Sequence, residues 1–360
     1  MKKLIIYSIL SLITVTVLNG QSGIINNGGH INVADGGVVV VDGASGADYI
    51  NQTNGTFHGS VQLDGFLYLK GDFLNNATSG NVFLNPDQTG EVIFNGANLQ
   101  YIGGTAKTIF EKLTLNNTSG LQLQQESEVF SRLKFANGKL NIATFDLNIQ
   151  NTAGISGYDA DKYVISESTG NLIRQVGSTN VFFSFFSSTT YLPVTLKNTG
   201  TSDNFAMRLF ADVTDDGTST GTTIADIDNA VNNTWLINEE VSGGTDLSVT
   251  LQWNAIEHGL NFDPENCGIA YFESGSWVPQ KSNPAAGIDP YSRSRSGISV
   301  LGSFAVGDMN SSLSDGEDPE LTYVSIASDN SDSTRAQAGD TVTVTFTSSE
   351  NLLNDPVVVI

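Results

Sequence analysis

The chain has one cysteine, Cys267, so no intramolecular disulfide can brace it. A catalytic thiol would need a base beside it. The nearest histidine in sequence is His258, and a buried structural thiol is the reading adopted. Histidine is scarce too: His30, His58 and His258 are too widely spaced to form a metal-binding motif. Basic residues number 16 against 38 acidic ones, a formal charge of -22, which excludes nucleic acid and anionic lipid headgroups as natural partners. Charged residues make up only 15% of the chain, and Asn, Ser, Thr and Gly crowd its turns. That profile suits an extracellular all-β protein better than a cytosolic enzyme.

Helical periodicity is missing from Gly28 to Asn151. Short apolar-x-apolar triplets recur there instead: Ile31/Val33, Val61/Leu63, Leu67/Leu69, Val82/Leu84, Val92/Phe94, Leu113/Leu115, Leu121/Leu123, Leu133/Phe135, Leu140/Ile142 and Leu147/Ile149. A period of two puts each pair on one face of a strand. Asp-Gly, Asn-Gly and Gly-Gly between them supply the positive φ angles of tight turns. Strands this short cannot bury a core alone, so they must stack on copies of themselves. The predicted fold class is all-β: a right-handed parallel β-solenoid, then a β-sandwich, then a truncated immunoglobulin-like domain. Repeats of roughly 20–25 residues allow about six or seven solenoid rungs.

Along the chain, residues 1–20 read as a secretory signal: Lys2 and Lys3, an apolar run from Leu4 to Leu18, and a small residue, Gly20, before the expected cut. No cysteine follows the run, which argues against a lipoprotein, and no membrane span is expected in the mature chain. The solenoid is assigned to 21–177. Longer strands spaced about ten residues apart mark a sandwich over 178–310. Residues 311–319 read as an acidic linker. Clean alternation at Tyr323–Ile326 and Thr341–Thr347 marks the opening of an immunoglobulin-like domain over 320–360, with a third strand expected near Ile360.

A resemblance emerges from a string of short cues: Tyr163-Val164-Ile165, Gly170-Asn171-Leu172, Arg174-Gln175-Val176-Gly177 and Tyr191-Leu192-Pro193-Val194-Thr195-Leu196. Over about Gly55 to Gly307 the chain resembles the large secreted surface proteins of Bacteroidetes-type bacteria, which implies export by the type IX system. One departure is local. The Phe-Pro-Val-Gly turn expected before the Tyr-x-Pro-Val strand is replaced by Phe182-Phe183-Ser184-Phe185-Phe186.

Candidate sites are few. Asp212, Asp215, Asp216, Asp226 and Asp228 crowd one loop, where oxygen ligands could serve calcium, the one cofactor considered. Trp277, beside Gly275-Ser276, is the candidate sugar-stacking residue, whereas Trp235 and Trp253 read as core. Gly217-Thr218-Ser219-Thr220-Gly221 matches G-x-S-x-G but lies in a Thr- and Asp-rich stretch lacking the strand-turn-helix frame of a nucleophile elbow, so it reads as a flexible loop. The expected function is non-catalytic adhesion or display at the cell exterior, with a surface polysaccharide or another cell-surface protein as partner. The alternative is a secreted carbohydrate-binding or polysaccharide-degrading protein that uses the solenoid groove or the Trp-bearing sandwich.

Overall fold

Short strands with one apolar face coil into rungs, each covering the next. The computed structural model describes residues 23–42, 47–78, 81–84, 89–150, 154–166, 168–186, 190–315 and 321–348. The expected signal segment and the third strand near Ile360 lie outside them. The fold is nearly all β, with a solenoid of about six turns followed by sandwich-like sheets. Among the described residues the only helical pieces are two 3-10 turns, Ile227–Asn229 and Ala255–Glu257.

Three faces build each rung. The first is a sheet whose main path is parallel throughout, Ile24–Asn27, Tyr49–Asn54, Phe73–Asn76, Gln100–Gly104, Leu121–Leu123, Leu140–Asn141, Val164–Ile165 and Phe185–Phe186, with Phe57–His58 added antiparallel to Tyr49–Asn54. One inward row runs Ile24, Tyr49, Phe73, Ile102 and Leu123, and the next runs Gln100, Leu121, Leu140 and Val164. The second face begins with His30–Val33 and Ser60–Leu63, and the third with Val38–Val41, Phe66–Leu69 and Glu91–Phe94. In Thr108–Asn116 and Ser127–Asn137 one long strand rounds the corner between the second and third faces, with register shifts along the pair. Rung length varies: Tyr49 follows its neighbour Ile24 by 25 residues, whereas Leu140 follows Leu121 by 19. Corners absorb the difference, which is why the repeat is degenerate in sequence.

The triplets point inward. Leu67, Leu69, Leu113, Leu115, Leu121, Leu133, Leu147 and Ile149 are all buried. Leu84 is the departure, 55% exposed; the short stretch there meets its neighbour through a single Val61–Phe83 bridge, and Val82 and Phe83 turn in instead. On the first face aromatic and amide side chains also turn in. Tyr49 stacks on Phe73 with ring centroids 5.3 Å apart, and burial pushes the Tyr49 phenol up to about 12. Asn26, Asn51 and Asn75 form a buried ladder. Asn51 donates to the Gly59 carbonyl at 2.9 Å and to Asn75 Oδ1 at 3.2 Å, while Asn75 donates to the Lys107 carbonyl at 3.1 Å. Such amides satisfy the corner backbone that the stack buries. Carboxylates do the same at the entry corner: Asp48 accepts from Asp72 N–H and Asp72 from Tyr101 N–H, at 2.9 and 2.8 Å. At Gly138, φ is +87° and a Cβ would stand 1.8 Å from the Asn117 carbonyl oxygen, so the rungs can meet there only through glycine.

The solenoid passes into the sandwich without a break. Leu172–Val176 pairs in parallel with Leu147–Ile149 and antiparallel with Asp203–Ala211, inside one sheet of 13 strands. That sheet continues through Asn233–Glu239, Gly302–Asp308, Cys267–Glu273 and Ser276–Val278. A second sheet of Val181–Phe183, Val194–Asn198, Leu247–Trp253, Tyr291–Ile298 and Ala286–Gly287 supplies facing apolar residues, including Val194, Leu196, Val249 and Leu251. One hydrophobic cluster spans solenoid and sandwich. Arg293 and Arg295 brace the sandwich by donating to the Cys267 carbonyl at 2.9 Å and the Ile269 carbonyl at 2.7 Å.

The chain divides between Ser314 and Asp315 into two compact units. Among the described residues of the second, Leu321–Ser328 pairs antiparallel with Val342–Ser348.

Candidate functional site

Outward residues differ sharply between the faces of the solenoid. On the first face Ile25, Ile50 and Leu74 align in one row and Asn27, Gln52 and Asn76 in the next; Tyr101, Gln122, Asn141 and Ile165 align further along. None of the eight strands on the parallel path of this sheet contains Asp, Glu, Lys or Arg. The third face begins apolar, with Val38 and Val40 exposed and Phe66 beside Tyr68, then becomes charged. Glu91, Lys112 and Arg132 occupy one row, and Arg132 reaches Glu91 at 3.0 Å. On the second face Glu128, nearly buried, pairs with Lys107 and accepts from Gln150.

Shallow clefts interrupt the described surface, and two of them bear on the solenoid. One, of 350 Å³, is lined by Phe57, His58, Ser60, Asn81, Phe83 and Leu84, with Phe57 71% exposed at its rim. His58 Nδ1 meets Thr53 Oγ1 at 2.8 Å, and His30 Nδ1 meets Ser60 Oγ at 3.1 Å. The other, of 310 Å³, lies over the Gly138 corner between Thr118, Asn137, Asp159, Asp161 and Lys162. Hydrogen bonding from Lys162, 2.9 Å away, holds the Asp159 carboxyl below its ordinary value.

The acidic loop of the sandwich uses its carboxylates on backbone amides, two within the loop and one at Ser312. Asp216 Oδ1 accepts from Thr218 N–H at 2.9 Å, Asp215 Oδ1 from Thr222 N–H at 3.0 Å, and Asp226 Oδ2 from Ser312 N–H at 2.6 Å. The amide and hydroxyl of Thr218 lower the Asp216 pKa. Asp212 sits at φ +65° and Asp228 lies in the Ile227–Asn229 turn. Among the described residues no group of three or more His, Cys, Asp or Glu side chains converges to hold a metal ion. The G-x-S-x-G pentapeptide is the tip of this loop, closed by a Thr214–Thr223 bridge and packed through Gly217 against Phe272.

Trp277 is half-buried. Its indole N–H donates to the Thr214 carbonyl at 2.8 Å and its ring meets Phe272 edge-on at 5.3 Å, so it anchors the acidic loop to the sheet. Trp235 and Trp253 are fully buried. Trp253 donates to His258 Nε2 at 2.8 Å, which requires an unprotonated acceptor there, and burial lowers the His258 pKa. Cys267 is buried and its thiol is pushed up to about 12 by desolvation, the state of an inert thiol.

Sequence reasoning missed the first-face strands Ile24–Asn27, Tyr49–Asn54 and Phe73–Asn76, and with them the uncharged face. Asn spaced 25 and 24 residues apart at Asn26, Asn51 and Asn75 was the signal that could have found them. Among the described residues no helix is long and apolar enough to cross a membrane. No family model matches the chain, and the comparisons with curated proteins and with solved structures likewise returned no match.

Proposed function

We propose that the chain is a non-catalytic protein of the cell exterior, secreted or held at the outer cell surface, and that its work is adhesion or display. The observation that carries this reading is the 13-stranded sheet running from the solenoid into the sandwich. A body built on one sheet and one core holds its far end at a fixed distance from its attachment, which is what presentation of a surface requires. The Lys2–Gly20 segment and the resemblance to Bacteroidetes-type surface proteins support an exported protein, with the type IX system as the proposed route. The partner would be a surface polysaccharide or another cell-surface protein. Protease shaving of intact expressing cells, followed by immunoblotting, tests the placement. Loss of the full-length band from intact cells is expected, and protection until lysis would refute it.

A further inference from the structure

We infer that the outer surface of the first face is a binding platform for a neutral, linear polysaccharide; the inference rests on the adhesive reading above and gives it a ligand class. Charge is the first argument. In a chain with 16 basic and 38 acidic residues, eight consecutive strands carry none, whereas the third face becomes charged from Glu91 onward. An anionic ligand meets a chain of net charge -22 and finds no cation on these strands, and a cationic one is drawn instead to the acidic loops. The face therefore complements an uncharged partner.

The second argument is chemical. Ile25, Ile50 and Leu74 offer an aliphatic row that suits the C–H face of a sugar ring. Asn27, Gln52 and Asn76, two residues further along the same strands, carry amides that both donate and accept, as hydroxyl groups require. The third argument is geometric. Parallel in-register stacking spaces the members of each row about 4.8 Å apart, so the aliphatic and amide rows cover the first three strands, roughly 10 Å. Tyr101, Gln122, Asn141 and Ile165 carry an uncharged row across the next four, a repeat suited to a polymer of like units.

The full chain should be incubated with cellulose, chitin and curdlan, and with alginate as the anionic control. Bound protein is measured by depletion and released reducing sugar is assayed in the same tubes. Saturable binding to at least one neutral polymer is expected, unaffected by raised salt. Leu74→Glu and Gln52→Lys should each lower the association constant by about tenfold or more, while Tyr68→Glu on the third face should bind as wild type. All three positions face outward. If Leu74→Glu fails to fold by circular dichroism, Gln52→Lys decides. Binding to none of the neutral polymers, preference for alginate, equal binding by all variants, or a dimer that Leu74→Glu dissociates would each overturn the platform. Release of soluble sugar with the variant pattern intact would instead overturn the non-catalytic reading and leave the platform standing.

Discussion

Asp72 is both useful and costly where it stands. Its Oδ1 caps the Tyr101 amide, yet burial raises its pKa above the ordinary 3.8, and the charge of Asp48 raises it further. Between the ordinary value and that higher one, the folded state therefore holds a proton that the unfolded chain has already released. Stability from this residue is fully present below about pH 3.8 and is lost as pH rises through the higher folded value. Asp72→Asn keeps the accepting oxygen and removes the charge. It should raise the melting temperature at pH 7 and leave it nearly unchanged well below pH 4. Calorimetry at both pH values checks this; a variant less stable at pH 7 would show that the cap needs the full carboxylate.

The strands can be judged by which residues they turn inward. Leu113→Asp places a charge in the stacked core and should cost about 4 kcal/mol or more. Leu84→Asp, at a position 55% exposed, should change stability by no more than about 0.5 kcal/mol. Equal denaturant midpoints for the two would contradict the inward and outward assignments. Position 84 also marks a limit of the alternation rule, because an apolar pair signals a buried face only where a full strand forms. The inverse limit applies at Tyr49, Asn51, Phe73 and Asn75, where inward amides interrupt the apolar alternation and hide strands that belong to the core. The triplets therefore revealed parts of all three faces but missed the opening of the one proposed to bind. Its defining property, absence of charge, becomes visible only when distant strands are brought side by side. The Leu321–Ser328 hairpin was legible from clean alternation, yet Tyr323, Val324 and Ile326 are more than half exposed. A two-stranded pair is marginal alone. Limited proteolysis should cut within 321–348 before it cuts within 23–314, and the reverse order would contradict this ranking.

For the molecule as a whole, the passage from parallel to antiparallel pairing at Leu172–Val176 matters more than the change of pattern that suggested a boundary near residue 177. Composition and strand length do change there, which is why two domains were read. Backbone pairing does not depend on side-chain pattern, so the sheet continues across it. Because solenoid and sandwich share one sheet and one hydrophobic cluster, they should unfold together. Differential scanning calorimetry should give one endotherm for 23–314. Two well-separated endotherms would mean that the shared strand does not couple them.

The same stacking fixes how the protein bears load. Bonds between rungs run along the solenoid axis, so tension between the first rung and the sandwich strips coils away one after another. Each coil lost, between the 19 residues from Leu121 to Leu140 and the 29 from Phe73 to Ile102, adds roughly 60–105 Å of contour length. Single-molecule pulling should give a sawtooth with that spacing, and one rupture releasing the whole solenoid would count against it. A tether of this kind dissipates mechanical work coil by coil and leaves the contact at its far end attached.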